Sequence, residues 1–480
     1  MFLPKDKKLF KHIFILAIPV IISNISRVLM GLIDTIMVGH LGASAIAAVG
    51  MASMVTWAAM SIGIAFRTGT QTVVSRRLGQ KKYKECGIAF RNMHFFVFLF
   101  GIPLTYLCYS NTTQIMSFFL KEETTLKLCI EYSLYIYLSL YFIYASFVFQ
   151  GFYTGIEKTK IHMKVVLASN VLNFYLNTGL IFGSNKIDKF LSDSSFVFFE
   201  FLWVPFNFPE LGVKGAAIGT LVSRIIMFIF LFFLLYKRDV IRKYILYIFK
   251  FIIDTEMIKK IISLGFPTSL QMLFEVGIFT AAIWLSGLLG EITQAANQIV
   301  LNISSMTFMI ASGLSVSAAI RAGNQKGLNN YNELKRISLS ILLLGIIFAM
   351  VFSLLIFFFR SALPYIYIDI SDSLNYDKNL EIVSKAATLF IVVSLFQLFD
   401  SAQVIILGTL RGMQDVIIPT VIVFIAYWVV GFPVSYYYGD ISQYKEIGIW
   451  FGLLCGLLFS SVFLYLRFIY LTNRMIKNAK

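Results

Sequence analysis

Residues 337–359, ISLSILLLGIIFAMVFSLLIFFF, form an uninterrupted apolar run without a charged side chain. A helix rises about 1.5 Å per residue, so about 20 such residues cross the hydrocarbon core of a bilayer. The run is continuous rather than alternating, which excludes a strand of a membrane β-barrel. This segment therefore predicts a membrane-spanning α-helix.

The composition of the whole chain agrees with that segment. Of the 480 residues, 58% are hydrophobic and 14% are charged, whereas soluble proteins average about 45–50% apolar and about 25% charged residues. The 48 Phe and 24 Tyr residues also exclude a disordered chain. We predict an all-α polytopic membrane protein with about twelve transmembrane helices, at 13–38, 45–72, 92–109, 130–154, 165–183, 211–235, 262–286, 293–319, 337–359, 386–408, 417–436 and 447–470.

The positive charge of the chain is concentrated in alternate loops. The net charge is +16, and Lys and Arg cluster in 76–91, 158–164, 237–260, 321–336 and at both ends. In a membrane protein this asymmetry places the basic side in the cytoplasm, so both termini are predicted to be cytoplasmic. The charge therefore indicates membrane topology and not a nucleic-acid partner.

The two halves of the sequence share a repeated plan. Pro19 aligns with Pro267, and the same offset aligns Gly39 with Gly287, while Gly151 later aligns with Gly408. Six spans return the chain to its starting side, so the copies should be related by a pseudo-two-fold axis along the membrane normal, with a central cavity at their interface. We predict six-helix bundles at 1–235 and 261–480, joined by a basic cytoplasmic linker at 236–260. The linker is either an amphipathic helix on the membrane surface or a plain connector.

Cofactor and enzyme signatures are missing from the sequence. The cysteines and histidines show neither disulfide nor metal-ligand spacing, and neither a phosphate-binding loop nor a nucleophile constellation is visible. We predict a protein without a cofactor and without enzymatic activity.

Three acidic residues lie well within predicted spans. Asp34, Glu275 and Asp400 fall in spans 1, 7 and 10, and Gln271 and Gln397 share their polar stripes. A charged residue costs a few kcal/mol at this depth, so such acids are functional candidates. The alternative is interhelical hydrogen bonding, worth about 0.6 kcal/mol per bond.

Four strings carry a family resemblance: MGLIDTIMVGHLGASAIAAVG at 30–50, GTQTVVSRRLGQ at 69–80, PTSLQMLFEVGIF at 267–279 and QLFDSAQVIILGTLRGMQD at 397–415. They resemble the multidrug and toxic compound extrusion (MATE) transporters, and within them the NorM branch. The likeness runs in order through both halves of the chain.

This resemblance implies a cation-coupled antiporter, which we expect to act as a monomer in the cytoplasmic (inner) membrane of a bacterium. Such a protein exports organic cations by alternating access, in exchange for Na+ or H+. The resemblance also implies the site residues. Glu275 and Asp400 would bind the cation in the second bundle, while Asp34, with Asn173, Asn177 and Thr220, would form a second ion-responsive site in the first.

The identity of the coupling ion stays open. Sodium is bound by hard oxygen donors, and the Glu275 and Asp400 carboxylates with neighbouring amides and hydroxyls could supply them. A carboxylate against apolar walls instead takes up a proton readily.

Arg27 departs from the family pattern, in which a neutral polar residue is usual. It is the repeat counterpart of Glu275 and lies seven residues before Asp34. It either neutralises one of these acids and competes with the transported cations, or forms a structural pair with Asp34. A basic residue here also keeps open an alternative function, that of a lipid-linked oligosaccharide flippase of the same superfamily.

Overall fold

The computed structural model describes residues 7–192, 197–237, 244, 253–368, 376–441 and 444–479. Within these ranges every regular element is helical, which confirms the predicted all-α class. In the N-terminal half the helices are α1 (Lys7–Gly39), α2 (Ala43–Gly79), α3 (Tyr83–Ser110), α4 (Thr112–Phe119), α5 (Glu123–Leu138), α6 (Leu140–Gly155), α7 (Thr159–Phe182), α8 (Ser184–Ser192) and α9 (Val213–Lys237). In the C-terminal half they are α10 (Thr255–Leu288), α11 (Glu291–Gly327), α12 (Tyr331–Phe359), α13 (Tyr376–Gly412), α14 (Ile417–Phe424), α15 (Phe432–Tyr436) and α16 (Lys445–Asn478). Short 3-10 helices cover Val197–Leu202, Val204–Phe206 and Leu363–Ile366.

The predicted number of membrane spans is confirmed. Among the described residues, 11 helices are long and apolar enough to cross a bilayer, and the number is 12 if α5 and α6 form one bent span. These two helices meet at Ser139 with a bend of 43°, within the predicted span 130–154. Several observed helices extend beyond the predicted spans, as α13 does, because a helix can continue past the apolar segment that crosses the hydrocarbon core.

The eleventh span is not a uniform α-helix. Between α14 and α15 lies a π-helix over Ile425–Gly431, and a second one follows over Tyr437–Ile441. A π-turn inserts an extra residue per turn and so rotates the side chains that follow it. This irregular span includes Tyr427.

The chain divides into two compact units. The N unit comprises Ile22–Val74 and Lys82–Gly265, and the C unit comprises Met1–Ile21, Ser75–Lys81 and Phe266–Lys480. Most of the predicted linker 236–260 lies outside the described residues, so the bundle boundaries 1–235 and 261–480 stay a prediction.

One helix in each unit packs against three others. In the N unit, α9 packs against α5, α6 and α7. In the C unit, α13 packs against α11, α12 and α16, and buries Leu389, Phe390 and Val393. Polar residues of α13 such as Asp400, which is 3% exposed, are therefore enclosed by protein.

The repeated glycines have equivalent positions inside the two units. Gly151 of α6 lies against the backbone oxygen of Arg67 in α2, and Gly408 of α13 lies against that of Ser315 in α11. A Cβ atom at either position would overlap this oxygen. The alignment of Gly151 with Gly408 thus marks the same kind of close helix crossing in each half.

Candidate functional site

The predicted polar residues of the N unit lie together. Asn177 Nδ2 on α7 donates a hydrogen bond of 2.8 Å to Asp34 Oδ1 on α1. Asn173 Nδ2 lies 3.3 Å from both Asn177 Oδ1 and Thr220 Oγ1 of α9. We call Asp34, Asn173, Asn177 and Thr220 the N site. Three helices therefore contribute one connected hydrogen-bond network.

Local sequence explains this arrangement. Asn173 and Asn177 are four residues apart, so both project from one face of α7. Gly219 comes directly before Thr220 on α9, and a Cβ atom there would overlap Asn177 Oδ1. Glycine thus leaves the space that the Asn177 amide occupies.

A basic residue that was not predicted lies close to the N site. Arg224 lies one helical turn after Thr220, and its Nη1 donates a hydrogen bond of 2.6 Å to Ser139 Oγ at the bend between α5 and α6. The charge of Arg224 acts on Asp34 and on Tyr132. Arg224 could have been predicted as a site residue from its position inside the predicted span 211–235, because an intramembrane arginine is as costly as an intramembrane acid.

Arg27 is bound locally on its own helix. Its Nη2 donates a hydrogen bond of 2.5 Å to Asn24 Oδ1, and its Nε lies 3.4 Å from the Ser23 carbonyl oxygen. Within the described ranges, Arg27 makes no ion pair with Asp34, so that predicted structural pair is not formed. Arg27 belongs to the N unit and Glu275 to the C unit.

The two predicted acids of the C unit also lie within electrostatic range of each other. Asp400 on α13 is only 3% exposed, and the charge of Glu275 on α10 acts on it. Both charges act on Tyr427, whose hydroxyl accepts a hydrogen bond of 2.6 Å from Gln403 Nε2. Because its oxygen is already an acceptor, the Tyr427 hydroxyl hydrogen is available to a carboxylate. We call Glu275, Asp400 and Tyr427 the C site.

An arginine borders the C site. Arg411 on α13 donates from Nη2 and Nε to Gln271 Oε1, at 3.0 and 3.3 Å. Gln271 Nε2 donates in turn to Thr420 Oγ1 at 2.9 Å. The charge of Arg411 acts on Glu275, which follows Gln271 by one turn of α10. Gln271 was predicted to share the polar stripe of Glu275, whereas Arg411, which lies near the end of its span, was not predicted as a site residue.

A small cavity lies beside the C site. Its volume is ≈ 10 Å³, about the room for one water molecule, and Thr307, Gln397 and Ser401 supply its polar lining. Thr307 Oγ1 donates to Gln397 Oε1 at 2.5 Å, whereas Gln397 Nε2 has no hydrogen-bond partner within the described part of the chain. Gln397 lies one turn before Asp400 on α13.

The sequence matches the profile of the MatE family in two segments, residues 19–178 and 267–437, one in each predicted half. This chain belongs to the MatE family. The resemblance to MATE transporters is therefore confirmed.

Named relatives of this MatE chain span nearly its whole length. It is 28% identical over 469 residues to the "Probable multidrug resistance protein NorM" of Rhizobium meliloti (strain 1021), covering 97% of this chain and 94% of that protein. It is 25% identical over 464 residues to the "Multidrug resistance protein NorM" of Photobacterium profundum, covering 95% and 94%.

Solved structures share the MatE fold. A MATE protein crystallised in complex with MaL6 superposes with a TM-score of 0.84 at 18% identity, over 98% of this chain and 97% of that one. An outward-facing multidrug resistance MATE family transporter of the MOP superfamily gives 0.83 at 18% identity, over 99% of each chain.

The two sites of this MatE chain differ in formal charge. The N site contains one acid, Asp34, with Arg224 nearby, whereas the C site contains Glu275 and Asp400 with Arg411 nearby. Within the described residues, no group of three or more His, Cys, Asp or Glu side chains is placed to hold a metal ion. Two carboxylates among amide and hydroxyl groups suit a proton or a hard monovalent cation.

Proposed function

We propose that this MatE protein is a cation-coupled antiporter that exports organic cations by alternating access, using Na+ or H+. The observation that carries this proposal is the pair Glu275 and Asp400, two acids of one unit whose charges interact, with Asp400 3% exposed and Glu275 partly buried. The NorM names of the relatives support a role in multidrug efflux. The protein would act as a monomer without enzymatic activity, in the cytoplasmic membrane of a bacterium with both termini inside.

Electrostatics explains why such acids suit ion coupling. A carboxylate enclosed by protein and lipid is unfavourable as a bare anion, so a bound Na+ or proton stabilises the conformation that encloses it. A ligand shifts a conformational equilibrium only by its differential affinity for the two states. An ion that prefers one conformer and an organic cation that prefers the other would therefore exchange across the membrane.

The roles of individual residues follow from their positions. Glu275 and Asp400 would be the ligands of Na+, or the proton acceptors, with Tyr427 as a hydroxyl partner. Asp34 would respond to ion binding in the N unit, with Asn173, Asn177 and Thr220 orienting its carboxylate. Arg27, whose bonds are local and uncharged, is free to face an anionic group or to repel a cationic one.

Efflux measurements in drug-sensitive cells test this function. We expect the wild-type chain to export ethidium or a fluoroquinolone. Glu275→Gln or Asp400→Asn should abolish export, although the variant protein is present in the membrane at the wild-type amount. Glu256→Gln is a matched control, because Glu256 lies on the same helix α10 with its side chain 84% exposed in a surface pair with Lys259. Removing sodium at fixed pH, and changing pH at fixed sodium, identifies the coupling ion. Full export by both acid variants would contradict the proposed roles.

A further inference from the structure

We propose that Arg411 is a resident counter-ion of the C site, which pairs with Glu275 when the coupling cation has left and returns to Gln271 when the cation is bound. This inference rests on the proposed function and assigns the regulation of the same site. Arg411 would thus occupy the place of the coupling cation during part of the cycle.

The first support is the way in which Gln271 is fixed. Its amide nitrogen donates to Thr420 Oγ1 at 2.9 Å and lies 3.3 Å from the Val416 carbonyl oxygen, and Gln271 is only 1% exposed. Its oxygen is therefore directed at Arg411. Thr420 is itself fixed, because its hydroxyl is within hydrogen-bond distance of the Val416 oxygen at 2.7 Å. Gln271 is thus a rigid neutral acceptor for the guanidinium.

The second support is the short distance between the two alternative partners. Gln271 and Glu275 are four residues apart on α10, and Cβ atoms with this spacing lie about 5–6 Å apart. The long Arg411 side chain can cover such a step by rotamer changes alone. Its charge already acts on Glu275 in the arrangement bonded to Gln271.

The third support is the charge balance. The charged and titratable groups that act on Glu275 or on which it acts are Arg411 and Asp400 of α13 and Tyr427 of the eleventh span. Two carboxylates and one guanidinium leave one negative charge, which a single monovalent cation neutralises. When that cation leaves, pairing with Arg411 keeps Glu275 from becoming an isolated anion, which would be strongly unfavourable.

Carbodiimide labelling measures ion occupancy of Glu275 without relying on transport. Purified full-length protein in proteoliposomes is labelled at a series of NaCl concentrations, and then at a series of pH values, and modification of Glu275 is measured by mass spectrometry. In the wild type, we expect the modification of Glu275, plotted against the concentration of the coupling ion, to have the slope of a single binding site.

Two variants should shift this curve in opposite directions. Arg411→Gln removes the competing charge, so the coupling cation should bind at a concentration at least about tenfold lower. Gln271→Leu removes the neutral acceptor, so Arg411 should remain paired with Glu275. The concentration of coupling cation that is needed to occupy Glu275 should therefore rise. Thr420→Val loosens Gln271 and should shift the curve in the same direction as Gln271→Leu, by a smaller factor.

Arg467→Gln provides a matched control, because Arg467 lies in the same unit but is bonded to Asp415 at 2.9 Å. Its curve should equal that of the wild type. If Arg411→Gln does not fold, the proposal is tested by Gln271→Leu and Thr420→Val, in which the coupling cation should be needed at a higher concentration.

The two proposals fail in different ways. The role of Arg411 alone would be overturned by either of two results. In the first, the labelling curves of Arg411→Gln, Gln271→Leu and Thr420→Val equal the wild-type curve. In the second, all three curves shift in one direction. A wild-type Glu275 that responds to neither sodium nor pH would instead overturn the proposed ion coupling.

Discussion

Asn177 on α7 donates a hydrogen bond of 2.8 Å from its side-chain Nδ2 to the Asp34 carboxylate on α1. The Asn177 oxygen is next to Asn173 Nδ2 at 3.3 Å, which fixes the orientation of the amide. The amide group that binds Asp34 is therefore held in its orientation by α7. Any movement of α7 against α1 must lengthen this bond or carry Asp34 along.

Replacing Asn177 tests the importance of this bond. Asn177→Leu keeps a similar volume but removes a hydrogen bond to a charged group, worth about 1.5–3 kcal/mol. We expect a lower thermal unfolding midpoint in detergent and reduced ethidium efflux. Asn170→Leu is the control, because Asn170 lies on the same helix but bonds to Ser26. Equal effects of the two substitutions would show that Asp34 does not depend on Asn177.

Gly219→Ala should damage the N site from a neighbouring helix. The added methyl group would overlap Asn177 Oδ1, and such overpacking costs about 1–3 kcal/mol. We expect an efflux defect similar to that of Asn177→Leu. At Gly50 of α2 an added Cβ atom meets nothing within 4 Å, so Gly50→Ala should leave efflux and the unfolding midpoint unchanged. Normal efflux by Gly219→Ala would mean that Asn177 can shift without consequence.

A double-mutant cycle tests the bond between Tyr427 and Gln403. Gln403 Oε1 already has no partner within the described residues, so Tyr427→Phe leaves both polar atoms of the buried amide unpaired. The loss should be about 1–3 kcal/mol in the free energy of unfolding. Adding Gln403→Leu should recover part of that stability without recovering efflux. Additive losses of stability would argue against the bond.

Burial should decide the value of ion pairs in this protein. Lys385 and Glu446 pair at 2.9 Å with side chains 22% and 14% exposed, whereas Lys259 and Glu256 are 76% and 84% exposed. We expect Lys385→Met to destabilise the protein by about 1.5–3 kcal/mol and Lys259→Met by about 0–1 kcal/mol. Denaturation midpoints measured with and without 1 M salt check the difference, and a larger effect at Lys259 would contradict it.

The residue pattern along single helices was sufficient to predict several residues of the two candidate sites. Asp34, Glu275 and Asp400 stand out because a lone acid in an apolar span is costly, and Gln271 and Gln397 follow from helical spacing. Arg224 carried the same signal, since it lies within a predicted span. Arg411 gave a weaker one, because arginines near span ends usually extend to the membrane surface.

By itself the sequence determined the helical membrane class, the number of spans, the internal repeat and the acids at hydrocarbon depth, because each of these depends on hydrophobicity along one chain segment. The tertiary structure decided which side chains meet. The contacts of Asn177 with Asp34, of Arg224 with Ser139 and of Arg411 with Gln271 join residues that are 143, 85 and 140 positions apart. Such pairs depend on the rotation and axial register of packed helices, and a bend at Ser139 or a π-turn at Tyr427 changes both without any clear mark in the apolar pattern.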